Sequence, residues 1–180
     1  IACIIMIPMG FYIGRSKFAY NLFSPLIEFL RPLPSSAIIP LAIVYLGFEY
    51  EMKLFVIVFG CSWPLLLNTI NGVKSIEPMY LKTARSLGFN QYKRLRHVII
   101  PASLPSIFTG LKISLAISLI LTITVEMIVG SKGIGYYIID NERSFNYPEM
   151  YGGILFLGIL GILINKTFSK SQLVFDETYQ

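Results

Sequence analysis

The residues best placed to do chemistry lie on one apolar stretch. Ser114, Ser118, Thr122 and Glu126 recur every four residues within 103–129, where Lys112 and Glu126 are the sole charges. At helical spacing they form a slowly drifting polar stripe. Such a stripe can line a path for a polar solute, or its hydroxyls can bond their own backbone and a neighbouring helix. Glu126 is the costlier residue, because an ionisable group in a lipid-embedded helix faces the bundle interior by default. It can touch a solute, pair with Lys132, or take an inter-helix hydrogen bond. An anionic solute favours the structural roles, since a carboxylate in its path would repel it. Asn68, Thr69 and Asn71 are secondary candidates for an inner mouth.

Other chemistries find no footing. Cys3, Cys61 and His97 lie far apart without ligand spacing, and both cysteines sit in apolar runs as small hydrophobes. The segment Gly130-Ser131-Lys132-Gly133-Ile134-Gly135 has the wrong glycine order for a dinucleotide fingerprint and reads as a flexible external loop. No G-x-x-x-x-G-K-[ST] phosphate loop occurs. Neither catalytic residues nor a metal or other cofactor is expected.

The elements that must position these residues are membrane helices. Of 180 residues, 54% are apolar and 14% charged, against about 45–50% and about 25% in soluble domains. That excludes disorder, and it leaves more apolar surface than one small core could bury. The runs are about 1–14, 35–48, 54–70, 103–129 and 151–168, which gives five membrane segments with the first truncated. Residues 18–34, with Pro25, Pro32 and Pro34, read as a short interfacial helix and a break. The chain opens with Ile1 inside an apolar run, as expected of a sequence trimmed at its N-terminus. The expected domain covers 1–170, with a loop over 72–102 and a C-terminal cytoplasmic tail over 171–180.

The net charge of +5 is unevenly spread. Placing 15–34, 72–102 and the C-terminal end on one side gives that side eleven basic residues and the other three: Lys53, Lys132 and Arg143. This is a positive-inside pattern, so the basic excess marks cytoplasmic loops and not a nucleic-acid surface.

Within 72–102 the basic residues Lys74, Lys82, Arg85, Lys93, Arg94 and Arg96 face one acid, Glu77. Pro78 suits a first helical position, Gly88 a left-handed C′ position, and Asn90 the N-cap of a second helix stopped by Pro101. The product is a helix, a glycine turn and a helix, with Leu87 and Phe89 exposed at the corner. Apolar side chains ringed by cations suit a groove on another protein; an amphipathic loop on anionic lipid is the plainer reading.

The stretch Lys82-Thr83-Ala84-Arg85-Ser86-Leu87-Gly88, followed after nine residues by Val98-Ile99-Ile100-Pro101, resembles the EAA loop of ABC importer permeases. Its glycine-to-proline spacing and Ala84 match; Lys82 and Thr83 depart from the usual Glu and Ala. Arg31-Pro32-Leu33-Pro34 with Ile39-Pro40-Leu41 is similar to the nitrate, sulfonate and taurine branch. So are Pro64…Asn68-Thr69…Gly72-Val73, Leu104-Pro105…Thr109-Gly110-Leu111-Lys112, and Glu126 followed by Gly133-Ile134-Gly135-Tyr136. The likeness covers roughly residues 1–168.

This resemblance implies an all-α, polytopic transmembrane bundle of the type I ABC importer kind, in a bacterial or archaeal plasma membrane. It implies a permease for a small solute such as nitrate, a sulfonate or taurine. Its partners would be a cytoplasmic ATPase subunit, a second permease subunit forming a homodimer, an external solute-binding protein and the lipid bilayer. Ala84, Arg85, Leu87, Gly88, Phe89 and Pro101 would form the ATPase-coupling loop. Ser114, Ser118, Thr122, Glu126 and Asn68 would line or gate the path. Two other classes compete: an ATP-independent secondary transporter, which needs paired intramembrane charges or inverted repeats, and a subunit that anchors a larger complex.

Overall fold

A computed structural model describes residues 1–179, with side chains described for 1–170. Its elements run α1 (Ala2–Arg15), α2 (Lys17–Leu30), a 3₁₀ turn (Ser35–Ile38), α3 (Ile39–Leu46), α4 (Tyr50–Lys74), α5 (Pro78–Ser86), α6 (Gln91–Arg94), a π-helical segment (Leu95–Ile99), α7 (Ile100–Val129), α8 (Ile134–Arg143) and α9 (Tyr147–Tyr179). No strand occurs among the described residues. The tail expected over 171–180 lies outside the described side chains, and the backbone of α9 continues to Tyr179.

Among the described residues three helices are long and apolar enough to cross a bilayer: Tyr50–Lys74, Gln91–Val129 and Tyr147–Lys170. The 25 residues of α4 reach about 37 Å, against a hydrocarbon core of about 30 Å. At 14 residues α1 falls short, as its run length predicts. Over 18–34 the helix Lys17–Leu30 and the break after it form as expected. By length and composition Lys17–Leu30 and Ser35–Leu46, bent by 82°, also pass together as a broken span or a re-entrant loop. The cause is local: Pro32 and Pro34 remove two donors, and Pro34 then opens the 3₁₀ turn. Counting that pair once and adding the shorter α1, the described residues hold five apolar segments.

The chain divides into two compact units whose boundaries fall between Pro32 and Leu33 and inside α4 and α7. One comprises Ile1–Pro32 with Ser62–Ile113. Its core joins Ile13 of α1, Ile27 of α2, and Leu66 and Ile70 of α4, with Met9, Phe23 and Trp63 packed around them. Small residues let its helices approach closely, as in membrane bundles generally. A Cβ on Gly110 would lie 2.8 Å from the Asn68 Cβ and 3.2 Å from the Pro64 carbonyl oxygen. The other unit comprises Leu33–Cys61 with Ser114–Ser171. Its core sets Ile39 and Ala42 of α3 and Met52 and Val56 of α4 against Val125 of α7. α9 exposes Leu155, Phe156, Ile159, Ile162 and Leu163. A helix apolar around its surface and exposed along it requires lipid or another apolar partner.

Candidate coupling turn and solute path

α5 begins at Pro78, where a missing N–H costs nothing, and ends in a Schellman turn. The Phe89 N–H donates to the Ala84 carbonyl at 3.0 Å and the Gly88 N–H to the Arg85 carbonyl at 2.9 Å. Gly88 takes φ +72°, and a Cβ there would meet nothing within 4 Å. The glycine is therefore required by backbone conformation and not by space. Ala84 is buried, while Arg85 and Leu87 are exposed, Leu87 at 68%. Phe89 departs from expectation. Its ring is half-buried and meets His97 edge-on at 6.1 Å between centroids. Leu87 alone is the exposed apolar side chain at the corner.

Asn90 caps the second helix, its Oδ1 accepting the Lys93 N–H at 2.8 Å. The expected stop at Pro101 is also corrected. Residues Gln91–Val129 form one continuous helix of 39 residues with Pro101 inside it. The π-helical segment explains how. The Ile100 N–H reaches back five residues to the Leu95 carbonyl, which widens the turn that the Pro101 ring would otherwise strike. The Ser103 hydroxyl, fully buried, donates to the Ile99 carbonyl at 2.8 Å and lies 3.0 Å from that of Ile100.

The stripe on α7 resolves into separate roles. Ser114 is buried and donates to the Cys61 carbonyl at 2.8 Å, while the Cys61 thiol donates to the Ser114 carbonyl at 3.2 Å. This reciprocal pair ties α4 to α7. The Ser118 hydroxyl donates to Leu115 and that of Thr122 to Ser118, both at 2.7 Å. Asn68 likewise donates to the Pro64 carbonyl of its own helix at 2.8 Å, and Thr69, fully buried, to that of Leu65 at 2.7 Å. Asn71 is exposed.

Glu126 caps another helix. Its Oε2 accepts the Gly135 N–H at 2.8 Å, in the first turn of α8. Gly133, the N-cap, has φ +112°, and a Cβ there would fall on the Glu126 carboxylate. Glycine is required at 133 both by conformation and by the approaching acid. A carboxylate at a helix N-terminus satisfies an otherwise orphaned donor and complements the helix dipole. The inter-helix hydrogen bond is therefore the role the geometry gives Glu126. The expected flexible loop over Gly130–Gly135 is thus corrected: Gly133 and Gly135 open α8 against Glu126.

One feature had no clear sequence signal. Phe145 has φ +58° and ends α8 in a Schellman turn of its own, with its N–H on the Glu142 carbonyl at 3.1 Å and the Asn146 N–H on that of Asn141 at 2.8 Å. A bulky residue in this region costs about 1–3 kcal/mol. The ring is 77% exposed and meets Tyr147 edge-on.

The model of the binding-protein-dependent transport system inner membrane component family matches residues 6–178. The chain belongs to that family. It is 32% identical over 165 residues to the nitrate import permease protein NrtB of Synechocystis sp., covering 92% of this chain and 60% of that protein. It is 34% identical over 167 residues to the bicarbonate transport system permease protein CmpB of Synechococcus elongatus, again 92% and 60%. A putative aliphatic sulfonates transport permease, SsuC of Bacillus subtilis, is 31% identical over 155 residues, 86% of this chain and 56% of that protein. The chain thus spans about 60% of the length of the relatives it matches. Among solved structures, a chain of the MetNI methionine ABC transporter in an inward-facing conformation superposes with a TM-score of 0.81 at 19% identity, over 96% of this chain and 87% of that one. The inner membrane component family thus shares its helical fold with that transporter, and the nitrate and sulfonate branch of the resemblance matches the relatives found.

Proposed function

We propose that this family member is the permease subunit of an ATP-driven importer in a prokaryotic plasma membrane. It would carry a small oxyanion of the nitrate, bicarbonate or sulfonate class, handed over by an external binding protein. ATP hydrolysis would belong to a separate cytoplasmic subunit, and a second permease would complete the path. The observation that carries this reading is the rigid turn at Leu87-Gly88-Phe89. It presents one exposed leucine among cations, between α5 and the Asn90-capped helix that runs unbroken into α7.

The mechanism follows from that continuity. Closure of an ATPase dimer against the turn would displace α5 and α6 together, because the Schellman bonds and the Phe89–His97 contact hold the corner. An unbroken helix passes such a displacement on to the residues after Pro101 instead of absorbing it at a hinge. Ala84 and Gly88 make the turn possible, Leu87 supplies the apolar contact and Arg85 the charge beside it. On α7, Ser114 and Glu126 would hold the helices that gate the path, while Ser118, Thr122 and, on α4, Asn68 would leave their oxygens and amide near it without a fixed charge that repels an anion.

Gly88→Arg tests the reading. An arginine at φ +72° is strained and places a charge at the docking corner. The permease should still insert, and the ATPase should no longer co-purify with it. Recovery of the ATPase at wild-type yield would sink the proposal.

A further inference from the structure

Beneath the coupling turn lies a cavity of about 660 Å³, lined by residues from the α1–α2 corner, the end of α4, and the α5–α6 segment. Among the described residues its lining includes Arg15, Lys17, Lys74, Arg85 and Arg94 and no acidic residue. The size falls in the range of ligand sites, about 300–1,000 Å³. The distribution of basic residues assigns this end to the cytoplasm.

Part of the positive charge has a local explanation. Arg15, Lys74 and Arg85 each occupy the last turn of a helix, where they complement its negative end. Each such end offsets about half a charge, and the N-terminal end of α2, beside Ser16 and Lys17, adds about half back, so roughly four positive charges remain. Lys74 is held in place by the ring of Tyr20, its Nζ 2.8 Å from the centroid. Arg94, partly buried, completes the lining. Five cations around a cavity that no acid among the described residues lines favour an anion there.

We propose that this cavity binds a phosphate-class oxyanion, supplied by an anionic phospholipid headgroup or free in the cytoplasm. The planar fork of Arg94 suits a tetrahedral oxyanion, Lys17 and Arg15 supply charge at the rim, and Lys74 is pre-positioned by Tyr20. Basic pockets between membrane helices at the cytoplasmic side are the general setting for headgroup recognition. Because the cavity includes Arg85 of the coupling turn, its occupant would bear on that segment. The proposal does not depend on which solute the protein carries.

The test uses the intact transporter in nanodiscs of neutral phosphatidylcholine. One arm adds phosphatidylglycerol and reads the lipid retained per permease by native mass spectrometry. The other adds inorganic phosphate and reads binding by calorimetry. Saturable binding in either arm is expected, and the responding arm identifies the source. Arg94→Gln should weaken it roughly tenfold, the loss expected for one charge-assisted contact. Lys17→Gln, at an exposed position, gives a second variant with little risk to folding and should weaken it several-fold. Lys93→Gln, a cation outside the lining, should leave it unchanged. No saturable binding in either arm, or an equal loss with Lys93→Gln, would overturn the proposal.

Discussion

Glu126 shows how a residue suited to transport chemistry acquires a structural role. Its carboxylate ends on the Gly135 N–H, so its removal should cost stability before it costs solute affinity. Glu126→Ala leaves that donor unpaired and should lower stability by about 1–3 kcal/mol. Glu126→Gln keeps an acceptor oxygen and should retain most of it. Thermal unfolding of both variants, with the solute concentration for half-maximal uptake measured beside it, separates the two roles. A solute-affinity loss in Glu126→Gln at wild-type stability would return Glu126 to the path. The four-residue spacing of Ser114, Ser118, Thr122 and Glu126 was legible, but their separate partners were not. Whether a hydroxyl bonds its own turn or crosses to Cys61 depends on which helix lies opposite, and no local pattern encodes that.

At the scale of elements, legibility followed local chemistry. Pro78, Gly88 and Asn90 marked the ends of α5 and α6 because capping is decided within a few residues. Pro101 misled because a proline ordinarily ends a helix, and here a π turn absorbs its ring. The break near Pro32 and Pro34 was visible, but the burial partners on either side were not: Ile27 packs with α1 and α4, while Ile39 and Ala42 pack with α4 and α7. The approach of α7 to α4 at Gly110 gives a prediction at this scale. Gly110→Val would press a branched side chain on the α4 backbone around Pro64 and Leu65 and should destabilise by about 1–3 kcal/mol. A drop in unfolding temperature of the purified permease is the readout; an unchanged temperature would mean that the helices separate freely. At the end of α8, Phe145→Gly should relieve backbone strain and raise stability by about 1 kcal/mol. If uptake falls while stability rises, the exposed aromatic ring serves function and not folding.

For the whole molecule, composition was decisive early, since an apolar excess of this size has to face lipid, and α9 shows where much of it goes. The proposed function makes this chain a path driven from the cytoplasmic side through the turn at Gly88. Uptake of labelled oxyanion into proteoliposomes carrying the permease, its ATPase and its binding protein tests that most directly. Uptake is expected to require both ATP and the binding protein, and to fall to background with Gly88→Arg while the permease remains in the membrane. Uptake that persists at the wild-type rate without ATP, or with Gly88→Arg, would contradict the account.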